Sequence, residues 1–523
     1  MKYNFAKHLR NLSLMLVITI LVFLVLPIQI HGNDDIVRID ILTVNDFHGA
    51  LVEGDKIPGA AKLATFLKHE KSKNPTGILI LSGGDMFQGS ADSNILYGQP
   101  VIDIMNEIDF DAMAIGNHEF DWGIEVLDNL QKEANFPFLA ANITAKDPSK
   151  QIYEFTPYTI IQLEEINIGI IGISTPKTAY TTKHSNIENL KFEDPKKTIK
   201  NMIPILKENG ADVIVVLSHL DSYQEKPGFD IKGEASKIAS IKGIDAIVSA
   251  HSHLIVSGKV SNTPIVQAGS YGKAVGKISI FYSKEKKKVI SSEVSVFVLN
   301  QNEIKPDQLT SSIVNETLSE IFPFKNQAFG ETAHDIVHHK YKFSPLGQWT
   351  SDLLREASNV DIFFQNGGGL RAGLKKGYIR MGNIYEILPF DNTLVTVELT
   401  GKQIIEILEY GILNENIGML QFSGINVVFD ESLPRGKRVV SVTTIDGEKL
   451  DLKKRYNVAT NDFMADGGNG YKTFKNGENI VNTHLVIRDL LVEEISKIQL
   501  VNFKADDRLI IKEKSNVSLK PAA

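Results

Sequence analysis

Five segments of the chain end in side chains that bind divalent cations or move protons. They are residues 45–49, 83–89, 116–123, 218–219 and 250–253, and each follows a short run of mostly apolar residues. The chain contains no cysteine, which excludes disulfides, thiolate zinc sites, iron–sulfur clusters and cysteine nucleophiles. A metal ion would therefore have to be held by oxygen and imidazole nitrogen atoms.

The spacing of these side chains suits two metal ions. Asp46 and His48 are two residues apart, as are His251 and His253. Residues two apart in extended backbone face the same side, so each pair can converge on one site. A carboxylate that can bridge two cations, an amide oxygen and a further imidazole come from Asp85, Asn117 and His219. Two cations about 3.5–4 Å apart would clamp a phosphoryl oxygen and activate water for in-line attack.

The third segment also carries a candidate acid–base pair. His118 directly follows Asn117 and can point away from the metals towards a substrate. Asp121, three residues later, could accept a hydrogen bond from His118 and fix its tautomer.

Each segment has an ordinary alternative interpretation when taken alone. An Asp-x-His at a strand end is usually a turn, Asn117 could be a helix N-cap, and His251 and His253 could be surface residues. The presence of all five segments in order, each after a strand-like run, favours a common site. The other eight histidines lack such a context and are expected at surface or structural positions.

The elements that must position these residues alternate between apolar β-branched runs and amphipathic stretches. Strands are predicted over residues 39–44, 77–81, 111–115, 168–173, 213–217 and 244–248, with helices between them, for example over 60–71 and 124–134. Continuously apolar strands are buried on both faces, which indicates a layered α/β architecture. In such sheets, sites form beyond the carboxyl ends of the strands, so the five segments should meet.

The ends and the charge of the chain limit its location and partners. Residues 12–30 form an apolar run after Lys2, Lys7 and Arg10, which predicts a secretory signal over 1–32; the alternative is an uncleaved membrane anchor. Both place the rest of the chain outside the cytoplasm. The length of 523 residues suggests several domains, and a net charge of −7 argues against binding nucleic-acid polymers.

The second half begins after a polar linker. We expect a linker and hinge over 306–329, with a helix over about 310–321 that Pro323 ends. In the second unit, three glycines at 367–369 let a backbone approach a ligand closely, and Arg371 could hold a phosphate or carboxylate. Phe390 and Phe463 could sandwich a base, although both rings could equally be core residues.

The five ligand-bearing segments of the first half resemble those of the calcineurin-like metallophosphoesterases. Within that superfamily, they and the motifs of the second half resemble the secreted 5′-nucleotidase / UDP-sugar hydrolase family. The resemblance covers nearly the whole chain after residue 32. It implies a four-layer α/β/β/α sandwich over 33–305 that holds two metal ions, most often Zn or Mn, and a second α/β domain over 330–523 that recognises substrate.

The resemblance also implies a role for each site residue. Asp46, His48 and His253 would hold one metal, Asn117, His219 and His251 the other, with Asp85 shared. The nucleophile would be a metal-bound water. His118 and Asp121 match the catalytic pair, in which the histidine stabilises the transition state or protonates the leaving group.

In the second domain, the resemblance implies substrate contacts from Asn366, Arg371, Phe390, Asn392 and Phe463. Three departures lie in this half. Asn469 stands where the family usually has an aspartate that binds the ribose hydroxyls. Lys340 stands near the position of an arginine that is common in the family. Residues 343–348 differ from the sequence that the family usually has at this place. The three departures bear on the choice of substrate rather than on phosphoester hydrolysis.

The predicted function is extracytoplasmic hydrolysis of nucleoside 5′-phosphates to nucleoside and phosphate, with nucleoside diphosphates or UDP-sugars as further substrates. Three alternatives stay open at this point: a 2′,3′-cyclic-nucleotide phosphodiesterase/3′-nucleotidase, a non-nucleotide phosphomonoesterase, and a surface-binding protein without catalysis. Neither the metal's identity nor the oligomeric state follows from the sequence.

Overall fold

The structure is a computed structural model that describes residues 35–512 except 55, 148 and 150–152. The predicted signal or anchor over 1–32 lies outside these residues. Within the described residues, no helix combines the length and apolar character needed to cross a membrane.

The first domain alternates strands and helices as the sequence predicted. Its strands are β1 (Ile36–Val44), β2 (Ile78–Ser82), β3 (Ala112–Ala114), β4 (Phe138–Leu139), β5 (Ile143–Ala145), β6 (Tyr158–Leu163), β7 (Ile166–Ile173), β8 (Leu190–Phe192), β9 (Val213–Asp221), β10 (Ala246–Ala250), β11 (Ile255–Val260), β12 (Thr263–Ala268), β13 (Ala274–Ser283) and β14 (Lys288–Val298). Its helices are α1 (Gly59–Lys73), α2 (Ala91–Asn94), α3 (Gln99–Ile108), α4 (Ile124–Glu133), α5 (Thr178–Thr181), α6 (His184–Ile187), α7 (Pro195–Glu208) and α8 (Glu234–Ile238).

Two six-stranded sheets form the centre of this domain. Their orders are β14-β13-β1-β2-β3-β4 and β11-β12-β10-β9-β7-β6. Strands β1 to β4 are parallel, as are β7, β9, β10 and β12, and the outer strands are antiparallel. Apolar side chains of both sheets, such as Ile39 and Val215, share one core. Helices cover the outer faces through two further cores, which gives the α/β/β/α layers.

The two sheets are in close contact at Gly172. A Cβ atom on Gly172 of β7 would lie 2.2 Å from the Cβ of Leu139 in β4 and 2.3 Å from its carbonyl carbon. No side chain larger than hydrogen fits there without moving one sheet. Gly172 therefore sets the distance between the sheets at this point.

The second domain is built on one five-stranded sheet and two smaller sheets. Its strands are β15 (Ala328–Thr332), β16 (Ile362–Gln365), β17 (Gly377–Arg380), β18 (Thr393–Thr400), β19 (Gln421–Ser423), β20 (Ile425–Asp430), β21 (Val439–Thr444), β22 (Arg455–Asn461), β23 (Glu478–Val486), β24 (Leu500–Val501) and β25 (Leu509–Lys512). The main sheet has the order β19-β16-β22-β18-β23. Because β16 and β22 are parallel and β18 is antiparallel to β22, the ends of β16 and β22 and the start of β18 lie at one edge.

The helix between the domains is longer than predicted. It is α9 (Gln308–Lys325), and it is followed by α10 (Pro345–Ser358), α11 (Met381–Ile387), α12 (Gly401–Gly411), α13 (Asp462–Ala465) and α14 (Ile487–Ile498). The prediction that Pro323 ends α9 was wrong, because Pro323 lies inside the last turn. A proline there removes one backbone hydrogen bond, and two more residues complete the turn.

Helix α9 is fixed to the first domain rather than free between the domains. Asp307 caps it by accepting from the backbone N–H of Thr310, 2.9 Å, and also pairs with Lys68, 3.1 Å. Val314 packs into the outer core of the first domain, and Lys325 pairs with Asp92 at the other end. The domain limits and the hinge role of 306–329 remain predictions.

Candidate active site between the two domains

The predicted metal ligands lie at the carboxyl ends of strands from both central sheets. Asp46 and His48 follow β1, Asp85 follows β2 and Asn117 follows β3, all in the first sheet. In the second sheet, His251 and His253 follow β10, whereas His219 lies inside β9, which continues to Asp221 instead of ending at His219. The layers thus bring together side chains that are more than 200 residues apart in the sequence.

The first cluster consists of Asp46, His48 and His253. Their ligand atoms lie within 4.8 Å of one another. The Nε2 atoms of His48 and His253 are 3.1 Å apart, and Nε2 of His253 is 3.5 Å from Oδ1 of Asp46. Oδ2 of Asp46 accepts from the Asn45 side chain, 2.6 Å, and from the His251 backbone, 3.0 Å. Oδ1 of Asp46 is buried and has no hydrogen-bond partner.

The second cluster consists of Asp85, His219 and His251. Nε2 of His219 is 3.0 Å from Oδ2 of Asp85 and 3.2 Å from Nδ1 of His251. The amide oxygen of the buried Asn117 has no hydrogen-bond partner. The other oxygen of Asp85 accepts from the backbone N–H of His118, 2.9 Å. The geometry groups Asp85 with His219 and His251, and its shared role between two metals stays a prediction.

The tautomers of two histidines show that this region is rich in electron pairs. The Nδ1–H of His48 donates to the carbonyl of Gln88, 2.7 Å, and the Nδ1–H of His219 donates to the carbonyl of Gly83, 2.8 Å. In the neutral ring, Nε2 of each histidine then carries a lone pair, which points at another nitrogen or oxygen. Together with the unpartnered oxygens of Asp46 and Asn117, this arrangement fits divalent cations bound by oxygen and imidazole.

The protonation states of His48 and His251 agree with this assignment. Burial lowers the pKa of His48 to about 3 and outweighs the opposing charge of Asp85. Burial and the neighbouring His219 likewise lower the pKa of His251 to about 3. Both rings are therefore neutral near pH 7 and have the lone pair that a metal ligand needs. His219 differs: burial disfavours its charged form, but the carboxylate of Asp85 outweighs burial and raises the pKa of that imidazole to about 10. This ring is therefore protonated near pH 7 and would have to lose its Nε2 proton to bind a metal ion.

The backbone at the ligands is left-handed, which corrects the sequence-based reason for their convergence. Positive φ angles occur at Asp46 (50°), His48 (51°), Asp85 (54°), His251 (72°) and His253 (60°). The expectation of extended backbone in the two pairs was wrong, and His251 and His253 lie in different clusters. Such angles are strained for residues with a side chain and cluster at functional sites.

Glu119 is an organising residue that the sequence analysis did not assign. Its buried carboxylate accepts three backbone N–H groups, from Asp85 and Met86 at 2.8 Å each and from Gly116 at 2.7 Å. It therefore joins the loop after β2 to the loop after β3. A Cβ on Gly116 would lie 2.2 Å from Oδ1 of Asp85, so the two loops touch there. The sequence shows only an acid directly after His118, and that position predicts neither its burial nor its backbone partners.

His118 and Asp121 form the predicted pair. Nδ1 of His118 lies 2.6 Å from Oδ2 of Asp121. Burial opposes a charged ring, but Asp121 and Asp85 outweigh it and raise the pKa of His118 to about 9. The ring stacks on Phe390 of the second domain, with centroids 5.9 Å apart and planes at 21°. His118 is therefore cationic near neutral pH and lies where the two domains meet.

The predicted substrate residues of the second domain line the same cleft. This cavity of about 620 Å³ lies between the domains, above the two clusters. The residues in question are Lys340, Asn366, Arg371, Phe390, Asn392, Phe463 and Asn469. The guanidinium of Arg371 lies 6.0 Å from the centroid of Phe390. Burial lowers the pKa of His253, and the charges of His48 and Arg371 lower it further. The charge of Arg371 therefore acts on the first cluster.

The two phenylalanines are cleft residues with structural neighbours. Phe390 and Phe463 are both half-buried and line the cleft, so neither is only a core residue. The ring of Phe463 lies over Gly468, where a Cβ would be 2.6 Å from the ring carbons. Asn366 is held by its amide oxygen, which accepts from Asn461, 2.9 Å, and Gln365, 3.1 Å.

Several further residues of the cleft wall were not found from the sequence. They are Trp122, Lys183, Tyr223, Glu415 and Asn416. Lys183 of the first domain pairs with Asp462 of the second, 2.7 Å, and fixes the spacing of the walls at one side. These residues come from four separate segments of the chain and share no spacing, so no sequence pattern could have found them.

Replacing Glu119 tests its organising role. Glu119→Gln keeps the shape but turns an NH₂ group towards a backbone N–H, which loosens the loop that carries Asp85. We expect divalent-cation affinity, measured by calorimetric titration of the metal-free protein with Mn²⁺, to fall about 10–100-fold. The control is Glu125→Gln, an exposed acid in α4. Unchanged affinity in a folded Glu119→Gln protein would contradict the assignment.

Comparisons with known proteins agree with this geometry. Residues 39–254 match the family model of calcineurin-like phosphoesterases, and residues 325–476 match that of the 5′-nucleotidase C-terminal domain. The chain is 29% identical to a snake venom 5′-nucleotidase of Crotalus adamanteus over 501 residues, which is 85% of this chain and 82% of that protein. It is 31% identical to the endonuclease YhcR of Bacillus subtilis over 460 residues, 82% of this chain and 37% of that protein.

A solved structure shows the same two-domain arrangement. The 5′-nucleotidase precursor of Thermus thermophilus superposes with a TM-score of 0.76 at 28% identity, over 91% of this chain and 99% of that one. The chain spans 37% and 65% of the length of the first two curated relatives it matches. Both halves and their order nevertheless match, and the chain belongs to the family that joins a calcineurin-like phosphoesterase domain to a 5′-nucleotidase C-terminal domain.

Proposed function

We propose that this chain hydrolyses nucleoside 5′-phosphates to nucleoside and phosphate outside the cytoplasm. One observation carries the proposal. Two imidazole–carboxylate clusters and a His–Asp pair form one wall of a cleft whose other wall presents an arginine and two phenylalanine rings. The first wall suits phosphoryl transfer, and the second suits the anionic and aromatic parts of a nucleotide.

Two divalent cations, Zn or Mn as the family resemblance implies, would occupy the clusters. Asp46, His48 and His253 would hold one, Asn117, His219 and His251 the other, and Asp85 would lie between them. When bound, the cations would supply positive charge to the phosphoryl oxygens and an activated water.

His118 would act on the leaving group. Asp121 holds the Nδ1 side of the ring, so Nε2 is left to donate a proton to the 5′-oxygen of the departing nucleoside. The raised pKa of about 9 keeps that proton on the ring near neutral pH. The charge of Asp121 also stabilises the imidazolium before the proton is given up.

The second domain would bind and orient the nucleotide. Arg371 has the fork geometry for phosphate oxygens, and Lys340 adds a point charge on the same wall. Phe390 and Phe463 would stack the base, and Asn366, Asn392 and Asn469 would meet polar groups of the nucleotide. With an amide instead of a carboxylate, Asn469 can still bond a ribose hydroxyl without adding negative charge.

The extracytoplasmic location rests on the apolar leader of residues 12–30 and on a relative named for snake venom. No partner other than the nucleotide is required by the site. The hinge over 306–329 would let the domains open for exchange of substrate and product.

The first test is phosphate release after chelation and metal restoration. AMP, UDP-glucose, cyclic 2′,3′-AMP and p-nitrophenyl phosphate are compared with Mn²⁺ or Zn²⁺ restored. The proposal expects metal-dependent preference for AMP. Preference for the cyclic nucleotide would indicate a cyclic phosphodiesterase, and equal rates on all monoesters a non-nucleotide phosphatase. No release from any substrate would contradict catalysis and favour a binding protein.

His118→Ala should separate proton donation from metal binding. We expect metal content to stay unchanged and kcat on AMP to fall about 10²–10⁴-fold, because the ribose alkoxide needs a proton. The loss on p-nitrophenyl phosphate should be much smaller, since nitrophenolate leaves without one. His69→Ala, at an exposed position of α1, is the control. Equal losses on both substrates would show that His118 does not protonate the leaving group.

Phe463→Ala should weaken nucleotides selectively. Loss of a stacking ring is worth about 1–3 kcal/mol per base, so we expect KM for AMP to rise about 5–150-fold. Glycerol phosphate, which has no base, should be affected little. Phe229→Ala removes an exposed ring that does not line the cleft and serves as the matched control. A similar loss on both substrates would mean that Phe463 serves packing alone.

A further inference from the structure

A second cavity of about 540 Å³ lies beside the cleft, also between the two domains. Tyr180 and His184, in α5 and α6, belong to one wall, and the loop after Phe463 forms the other. Phe463 lines both cavities, so a single ring separates them there. Asp462 directly precedes this ring in the sequence, and its 2.7 Å ion pair with Lys183 holds the two walls together.

The second cavity carries a net positive charge, because two lysines and one carboxylate, Asp466, line it. Lys472 and Lys475 are exposed on its wall, and within the described residues neither forms an ion pair with a carboxylate. The stem of Lys475 crosses Gly467, where a Cβ would lie 3.2 Å from Cε of the lysine. The glycine thus gives the lysine room to lie along the wall. Two exposed lysines against a single carboxylate favour an anionic group in the cavity.

An aromatic ring and a carboxylate complete the wall. Tyr180 is 50% exposed, so its ring offers a free face for stacking. Asp466 lines the same cavity and can accept hydrogen bonds from hydroxyl groups. A stacking ring, a hydroxyl acceptor and two cations match the base, the ribose and the phosphate of a nucleotide.

We propose that this cavity binds a second nucleotide unit, so that the substrates include 5′-phosphorylated dinucleotides. The inference rests on the proposed function, which places the first nucleotide in the cleft. Asn469, the candidate for the ribose hydroxyls, lines the cleft, whereas Gly467 and Gly468 of the same turn line the second cavity. A group attached to the 3′-oxygen of the first ribose crosses this turn and enters the second cavity.

The reaction at the first nucleotide stays the same. In pApA, water forms a bond to the 5′-terminal phosphorus, and the bond between phosphorus and the 5′-oxygen breaks. The 5′-oxygen takes a proton, and the products are ApA and inorganic phosphate. The internal phosphodiester is bound between the lysines and is not cleaved.

The test compares binding of pApA and AMP to the full chain after chelation, by calorimetry, so that hydrolysis does not interfere. We expect pApA to bind about 10-fold tighter than AMP, with a preference that weakens as salt rises. In the double variant K472A/K475A this preference should fall towards unity, with the affinity for AMP unchanged. Tyr180→Ala should reduce it in part.

Lys437→Ala, an exposed lysine between β20 and β21 that lines neither cavity, is the matched control and should keep the full preference. Equal affinities for pApA and AMP, no measurable binding of pApA, or a preference that survives K472A/K475A would each overturn the proposal.

A separate readout distinguishes this inference from the proposed function. Phosphate release from AMP by the metal-restored protein measures the function of the cleft alone. If AMP is hydrolysed and pApA binds no better, only the second site is refuted. If pApA binds better through the lysines but no phosphate is released, the cavity is supported and the proposed hydrolysis fails.

Discussion

Nitrogen and oxygen lone pairs are crowded together, with few N–H donors between them, at the point where the two central sheets end. The Nδ1–H groups of His48 and His219 each donate to a backbone carbonyl. The Nε2 atoms of the two rings then face a nitrogen of His253 and an oxygen of Asp85. Like partial charges in a buried region repel strongly unless cations lie between them. The ligand loops, with their positive φ angles, oppose that repulsion. So does Glu119, whose carboxylate accepts three backbone N–H groups from these loops.

The second domain adds a positive charge and aromatic side chains to the cleft above the two clusters. Arg371 brings a positive guanidinium to the cleft, and Phe390 lies flat against the ring of His118. His118 of one domain is thus packed against Phe390, which lines the cleft from the other domain. Lys183 and Asp462 form an ion pair that joins the two walls of the cleft.

The sequence predicted the layered fold, because apolar runs alternate with amphipathic stretches, and it predicted that the motifs at the strand ends would meet. The spacing alone paired His251 with His253, which lie in different clusters. Only the resemblance to the metallophosphoesterases implied their separation. The sequence could not predict the backbone conformation at Asp46 or His251, because left-handed geometry at residues other than glycine depends on the surrounding loops. Glu119 was missed because its partners are backbone groups of a loop 33 residues away, which leave no trace in side-chain spacing. The full length of α9 depended on packing against the first domain, which outweighs a proline in the last turn.

The close approach at Gly172 couples the core to the metal site. Asp85 follows β2 of one sheet and His219 lies in β9 of the other, so their 3.0 Å contact spans the two sheets and depends on their separation. Gly172 in β7, beside β9, packs against Leu139 in β4, two strands from β2, and limits how closely the sheets approach there. Cation affinity and folding free energy are therefore thermodynamically linked in this domain. A substitution deep in the core can weaken cation binding without touching a ligand, and a bound cation in turn stabilises the domain against thermal unfolding.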